Sequence, residues 1–159
     1  MEKTTGDQRE VIAGVVYDAV KDELYTAEKG QGAQINLHRL RVSGRTKLNQ
    51  CMIGTGTPSI TNNDNNPVIL EKLANVAQQV AATRSYGSTV LDLCYVAAGR
   101  FDGHFKFGFE DWDIAAAELI VREAGGAITD AKGAKDHYEN KTIIASNMHI
   151  HQMMVKMVK

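Results

Sequence analysis

The sequence predicts a mixed α/β fold: a short antiparallel meander followed by a mixed sheet with helices on both faces. Three observations predict it. The first third carries short β-branched and alternating runs parted by turn residues. The remainder alternates strand-like segments with helices that are apolar nearly all round. The chain has 159 residues, 43% of them hydrophobic, which suits one domain with a core of ordinary size. Strands alternating with apolar helices imply a sheet covered on both faces.

Each element has a local reason. Val11-Ile12-Ala13-Gly14-Val15-Val16-Tyr17 is a continuous run of the kind found in strands buried on both faces. Residues 18–22 make a turn, and Glu23-Leu24-Tyr25-Thr26-Ala27 alternates as a half-buried strand does. Lys29-Gly30-Gln31-Gly32 is a second turn, where glycine takes positive φ. Residues 33–36 and 39–42 follow as short strands. The character changes near 43–50, which divides a strand-rich part, 1–44, from an α/β layer, 45–159. Cys51-Met52-Ile53-Gly54-Thr55-Gly56 runs from a strand into a glycine loop, and 62–66 is a polar loop. Pro67 opens a helix whose Val68, Leu70, Leu73, Val76, Ala77 and Val80 keep helical spacing. Residues 82–86 form a strand. Ser88 stands as N-cap to a helix over 89–98, closed by Gly99. A strand at 101–107 precedes a helix over 112–124 closed by Gly125-Gly126. Strands at 127–130 and 142–145 and an amphipathic helix over 149–159 complete the chain, and the cluster Met148, Met153, Met154 and Met157 reads as the packing face of that terminal helix rather than a binding box.

Composition excludes several classes of function. With 18 Lys+Arg against 19 Asp+Glu, the net charge of −1 lacks the basic excess that nucleic-acid binding needs. No apolar run reaches the roughly 20 residues of a spanning helix, so no membrane partner is expected. The opening Met1-Glu2-Lys3-Thr4-Thr5-Gly6-Asp7 has no apolar signal core. Cys51 and Cys94 lack metal-type spacing and read as buried free thiols of a cytoplasmic protein. The five histidines are scattered, and none of the serines has a G-x-S-x-G context.

Two groups of residues offer chemistry. Glu110, Asp111 and Asp113 bracket Trp112 where a loop becomes a helix. Asp113 in a first helical turn suits a hard cation, although capping is the commoner role of such residues. Arg84-Ser85-Tyr86-Gly87-Ser88-Thr89 is a glycine-hydroxyl turn opening a helix; it suits an anion or a polyol, or again a simple N-cap. Gly54-Thr55-Gly56-Thr57 lacks the lysine of a phosphate loop.

The segment Trp112-Asp113-Ile114-Ala115-Ala116-Ala117-Glu118-Leu119-Ile120-Val121-Arg122-Glu123-Ala124-Gly125-Gly126 resembles the signature W-D-x-A-A-G-x-x-[IL]-x-x-E-A-G-G of the inositol monophosphatase family. Gly14-Val15-Val16-Tyr17-Asp18, Arg41-Val42-Ser43, Arg84 with Gly87-Ser88, Ala97-Ala98-Gly99-Arg100-Phe101-Asp102-Gly103 and Ala145-Ser146-Asn147 follow in the family's order. The resemblance covers nearly the whole chain and is strongest to bacterial members. It implies a layered α-β-α-β-α sandwich, of which this chain is the C-terminal part, and a Mg²⁺-dependent phosphatase of inositol phosphates or related sugar phosphates. It places Asp113 as a metal ligand, and Gly87, Ser88 and Thr89 at the substrate hydroxyls. A homodimer is expected on the same ground.

Two departures qualify what the resemblance implies. The family's other metal ligands lie in a Glu-Glu segment and in D-P-[IL]-D-G-[TS], and neither occurs in these 159 residues. One Asp113 does not hold two Mg²⁺ ions. The sequence therefore reads as the C-terminal portion of a phosphatase without a complete catalytic set, or as an inactive partner-binding or dimerising module of that family. Second, Lys106 stands seven residues before Asp113, where inositol-specific members carry Glu. Lysine is donor-only and suits a second anionic group on the substrate, unless it turns outward to Glu110 or Asp111.

Overall fold

The computed structural model describes residues 2–5, 8–56 and 66–159. Thr57 and most of the polar loop expected at 62–66 lie outside the described residues. A two-stranded hairpin of β1 (Glu2–Thr5) and β2 (Gln8–Val11) leads into an antiparallel meander. The meander is β3 (Ala13–Asp18), β4 (Glu23–Glu28), β5 (Gly32–Ile35) and β6 (His38–Arg39), in that spatial order. The turns behave as their residues require, with Gly30 and Gly32 at φ 77° and 86°.

Three expectations change here. The run at 11–17 is broken at Ile12 into two strands. Its second half is buried on one face only: Gly14, Val16 and Asp18 point inward, while Val15 and Tyr17 are exposed. The run was apolar on both faces, but alternation in an antiparallel sheet decided which side met the core. The strand expected over 39–42 ends at Arg39, because Val42 leaves the meander and donates its N–H to the Ala124 carbonyl.

The second sheet has five strands in the order β10-β11-β9-β7-β8. They are β7 (Met52–Thr55), β8 (Ala82–Arg84), β9 (Gly103–Phe107), β10 (Ala127–Thr129) and β11 (Thr142–Ser146). β7 runs parallel to both β8 and β9, and the β11 side is antiparallel. The carboxyl ends of β7, β8 and β9 thus lie along one edge, the edge at which open α/β sheets bind ligands.

The helices are α1 (Asn66–Ala77), α2 (Thr89–Ala97), α3 (Ala115–Glu123), the one-turn α4 (His137–Asn140) and α5 (His151–Val158). α2 and α3 fill the space between the two sheets, in one core with Tyr25, Leu93, Phe101, Ile120 and Ile143. α1 and α5 cover the other face of the five-stranded sheet, where Ile53, Val76, Phe105, Ile144 and Met154 meet. The layers are therefore sheet, helices, sheet, helices. Close approach fixes the first contact: a Cβ on Gly14 would lie 2.7 Å from the Ala116 carbonyl oxygen of α3.

In α1 the spacing was right and the face was not. Val68 and Leu70 are exposed, while Ile69 and Val76 are buried. The four apolar residues at its start left the inward stripe undetermined, and packing against α5 chose the stripe through Ile69, Leu73 and Val76. Cys51 and Cys94 are buried free thiols, and burial pushes the Cys51 thiol up to about 11. Among the described residues no helix is long and apolar enough to cross a membrane.

Candidate functional site

The glycine-hydroxyl turn sits at the carboxyl edge of β8 and hands the chain to α2. Gly87 takes φ +87°, a conformation side chains rarely adopt, and this turns the chain back over the sheet. Ser88 has the extended backbone of an N-cap (φ −120°, ψ 108°), but its hydroxyl makes no cap hydrogen bond. The capping expected of that side chain is absent, and the hydroxyl is not consumed by the helix it precedes. Thr89 is buried and its Oγ1 accepts a hydrogen bond from Lys106 Nζ at 2.6 Å.

Lys106 reaches this point because β9 alternates. Phe105 and Phe107 face the α1/α5 core, so His104 and Lys106 face α2. The stem passes over β7 at Gly56, where an added Cβ would lie 3.0 Å from Lys106 Cδ. The outward pairing with Glu110 or Asp111 does not occur. Asp111 Oδ1 instead accepts from Lys141 Nζ at 2.6 Å.

Asp113 lies in a 3₁₀ turn, Asp111–Asp113, that precedes α3 and replaces the first turn of the helix expected from 112. Its Oδ2 accepts the Glu110 N–H at 3.1 Å, a capping bond. Trp112 beside it is exposed. No hydrogen bond or ion pair among the described residues joins Asp113 to Thr89 or Lys106. The structure brings Gly87, Ser88, Thr89 and Lys106 together and places Asp113 on a separate element.

Sequence reasoning missed the pair beneath Lys106. Asp92 and His104 are wholly buried, with His104 Nδ1 3.7 Å from Asp92 Oδ2. Asp92 Oδ1 and both ring nitrogens of His104 have no hydrogen-bond partner. His104 is neither exposed nor satisfied. Burial, helped by the Lys106 charge, pushes the imidazole down to about 3 and keeps it neutral. Burial pushes the Asp92 carboxyl up to about 6, against the pull of Lys106. The available signal was a lone Asp inside an apolar helix, and a His and a Lys two apart on one face of a strand.

A second polar cluster lies on the α3 side. Glu118 accepts from His137 Nε2 (3.1 Å), Tyr138 Oη (2.7 Å) and Arg122 (2.8 Å). It borders a groove of about 810 Å³ between β2–β3 and α3 that also includes Trp112, Leu119 and Glu123. Among the described residues no three His, Cys, Asp or Glu side chains are grouped so as to hold a metal ion. A two-ion Mg²⁺ centre needs several carboxylates, and Asp113 with its capping bond does not supply them alone.

The chain was compared with known proteins. The model of the inositol monophosphatase family matches residues 6–159. The protein named Inositol-1-monophosphatase of Mesorhizobium japonicum is 45% identical over 152 residues, covering 96% of this chain and 57% of that protein. The putative Nus factor SuhB of Neisseria meningitidis is 42% identical over 146 residues, 91% of this chain and 55% of that protein. The crystal structure of the extragenic suppressor protein SuhB from Bartonella henselae superposes with a TM-score of 0.89 at 44% identity, over 93% of this chain and 57% of that one. The chain thus spans little more than half the length of the relatives it matches. This chain belongs to the inositol monophosphatase family.

Proposed function

We propose that these residues form the hydroxyl-binding half of a phosphomonoester hydrolase acting on inositol phosphate or a related sugar phosphate. The observation that carries the reading is the turn at Gly87, Ser88 and Thr89. It presents a hydroxyl that caps nothing, at the carboxyl edge of three parallel strands. Gly87 supplies the bend, Ser88 and the first amides of α2 supply donors, and Thr89 holds Lys106 in place. The family's chemistry adds Mg²⁺, which when bound activates water and stabilises the leaving oxygen. Asp113 supplies one carboxylate toward that ion, and the remaining ligands come from motifs not found in these 159 residues. The relative named Inositol-1-monophosphatase supports the substrate class.

The test joins the portion of the Mesorhizobium relative that this chain does not span to its Met1. The hybrid releases phosphate from inositol 1-phosphate in Mg²⁺, and Asp113→Asn abolishes release. A folded hybrid without turnover contradicts the reading. It would favour a partner-binding module without catalysis, which the relatives named Nus factor SuhB support.

A further inference from the structure

We propose that Lys106 and the N-terminus of α2 form an anion subsite, so that the substrate carries a second anionic group, a phosphoryl or a carboxylate, besides its phosphate ester. The inference rests on the phosphomonoester reading above and names the substrate class that reading left open.

Thr89 holds the ammonium, and among the described residues no carboxylate pairs with it. Nζ has three N–H donors, and one is used on Thr89 Oγ1. Among the described residues Lys106 enters no ion pair within 4.0 Å, whereas Lys21, Lys29, Arg45, Arg100, Arg122 and Lys141 each have a carboxylate partner. The neighbouring helix end is open in the same sense. Ser88 caps none of the first amides of the nine-residue α2, and its partial positive charge adds to that of Lys106.

The inner side of the cation is set by Asp92 and His104. Both are wholly buried, and Asp92 Oδ1 and both ring nitrogens of His104 lack hydrogen-bond partners. Lys106 is the charged group that both sense. His104 is neutral and contributes no repulsion, and Asp92 stays outside ion-pair distance of Nζ. Polar atoms left unpartnered below the ammonium, and two of its donors left undirected above it, make an arrangement completed by something that arrives from outside. A ring hydroxyl offers such a cation a dipole. An anionic oxygen offers the same hydrogen bond together with the Coulomb attraction of an ion pair. The ester phosphate belongs with the metal-directed side at Asp113, to which nothing joins Lys106. A different anionic group is therefore the fitting partner.

The test is a metal-free binding measurement on the 159-residue chain, so its outcome is independent of turnover. The ¹⁵N-labelled chain is titrated with inositol 1-phosphate and with inositol 1,4-bisphosphate, at constant ionic strength and followed by amide shifts. The bisphosphate binds about tenfold tighter, which is 1.4 kcal/mol, and its shifts centre on residues 87–91 and 106. Lys106→Gln, which keeps most of the stem, brings the two affinities together, and Lys106→Arg preserves the difference. A ratio near one in the wild type overturns the proposal. So does a ratio that survives Lys106→Gln in a chain with native amide dispersion, a shift pattern centred elsewhere, or the absence of binding by either ligand.

Discussion

The carboxylate of Glu123 accepts the backbone N–H of Gly32 at 2.8 Å, and its other oxygen takes the N–H of Gly30 at the same distance. The last turn of α3 is thereby clamped to the β4–β5 turn, more than 90 residues away in sequence. The clamp gives a carboxylate acceptor to two amides of a turn whose glycines both take positive φ.

Glu123→Gln is expected to cost about 1–2 kcal/mol, because an amide side chain presents one acceptor and one donor to two N–H groups. Urea unfolding with an unchanged m value would show it as a lower midpoint. A loss under about 0.5 kcal/mol, the level of surface substitutions, would mean that water replaces the clamp.

Burial of the interlayer helices sets a second expectation. Ile120 is fully buried in α3, and Ile120→Ala should cost about 2–5 kcal/mol. Leu91 is only half-buried, so Leu91→Ala should cost about 1 kcal/mol. Equal costs at the two sites, read from the same unfolding curves, would be inconsistent with the partial burial of Leu91 beside the full burial of Ile120.

Acid sensitivity follows from Glu118. Burial opposes its ionisation, but hydrogen bonds from His137 and Tyr138 and the nearby Arg122 outweigh that and draw the carboxyl down to about 2. Its folded value lies below the ordinary unfolded value of about 4.3. The stabilisation is therefore complete above about pH 4.5 and is lost as pH falls towards 2. Glu118→Gln should flatten the stability profile between those values, by an amount of order 1–3 kcal/mol. An acid slope unchanged in the variant would place the proton uptake on other carboxylates.

The first two turns of the meander were legible because they are written in Asp and glycine, and β4 because it alternates; the one-sided burial of β3 was not, since its run is apolar on both faces and only the sheet decides between them. The five-stranded sheet was legible for a different reason: Met52, Arg84, Phe101, Ile128 and Ile144 each sit in a short run between helices. The stripe of α1 was not legible, since Val68, Ile69 and Leu70 are adjacent and only α5 decides among them. The turn at Gly87, Ser88 and Thr89 and the position of Asp113 could be located in the sequence, but not the contact between Lys106 and Thr89. That contact depends on the parallel register of β7 with β9, Gly54 facing His104 and Thr55 facing Phe105, which no local pattern encodes. The Asp92–His104 pair was invisible for the same reason, as its members lie on a helix and a strand that only the fold superimposes.

If the described residues carry a substrate-binding half-site with Asp113 as its one metal-directed carboxylate, the purified 159-residue chain has no complete metal centre. Its Mg²⁺-dependent release of phosphate from inositol 1-phosphate is then expected to be no greater than a buffer control, with Mg²⁺ affinity no tighter than the millimolar range of weak carboxylate sites. Turnover that disappears in Asp113→Asn would contradict it, and would mean that Glu110 and Asp111 complete a metal centre with Asp113.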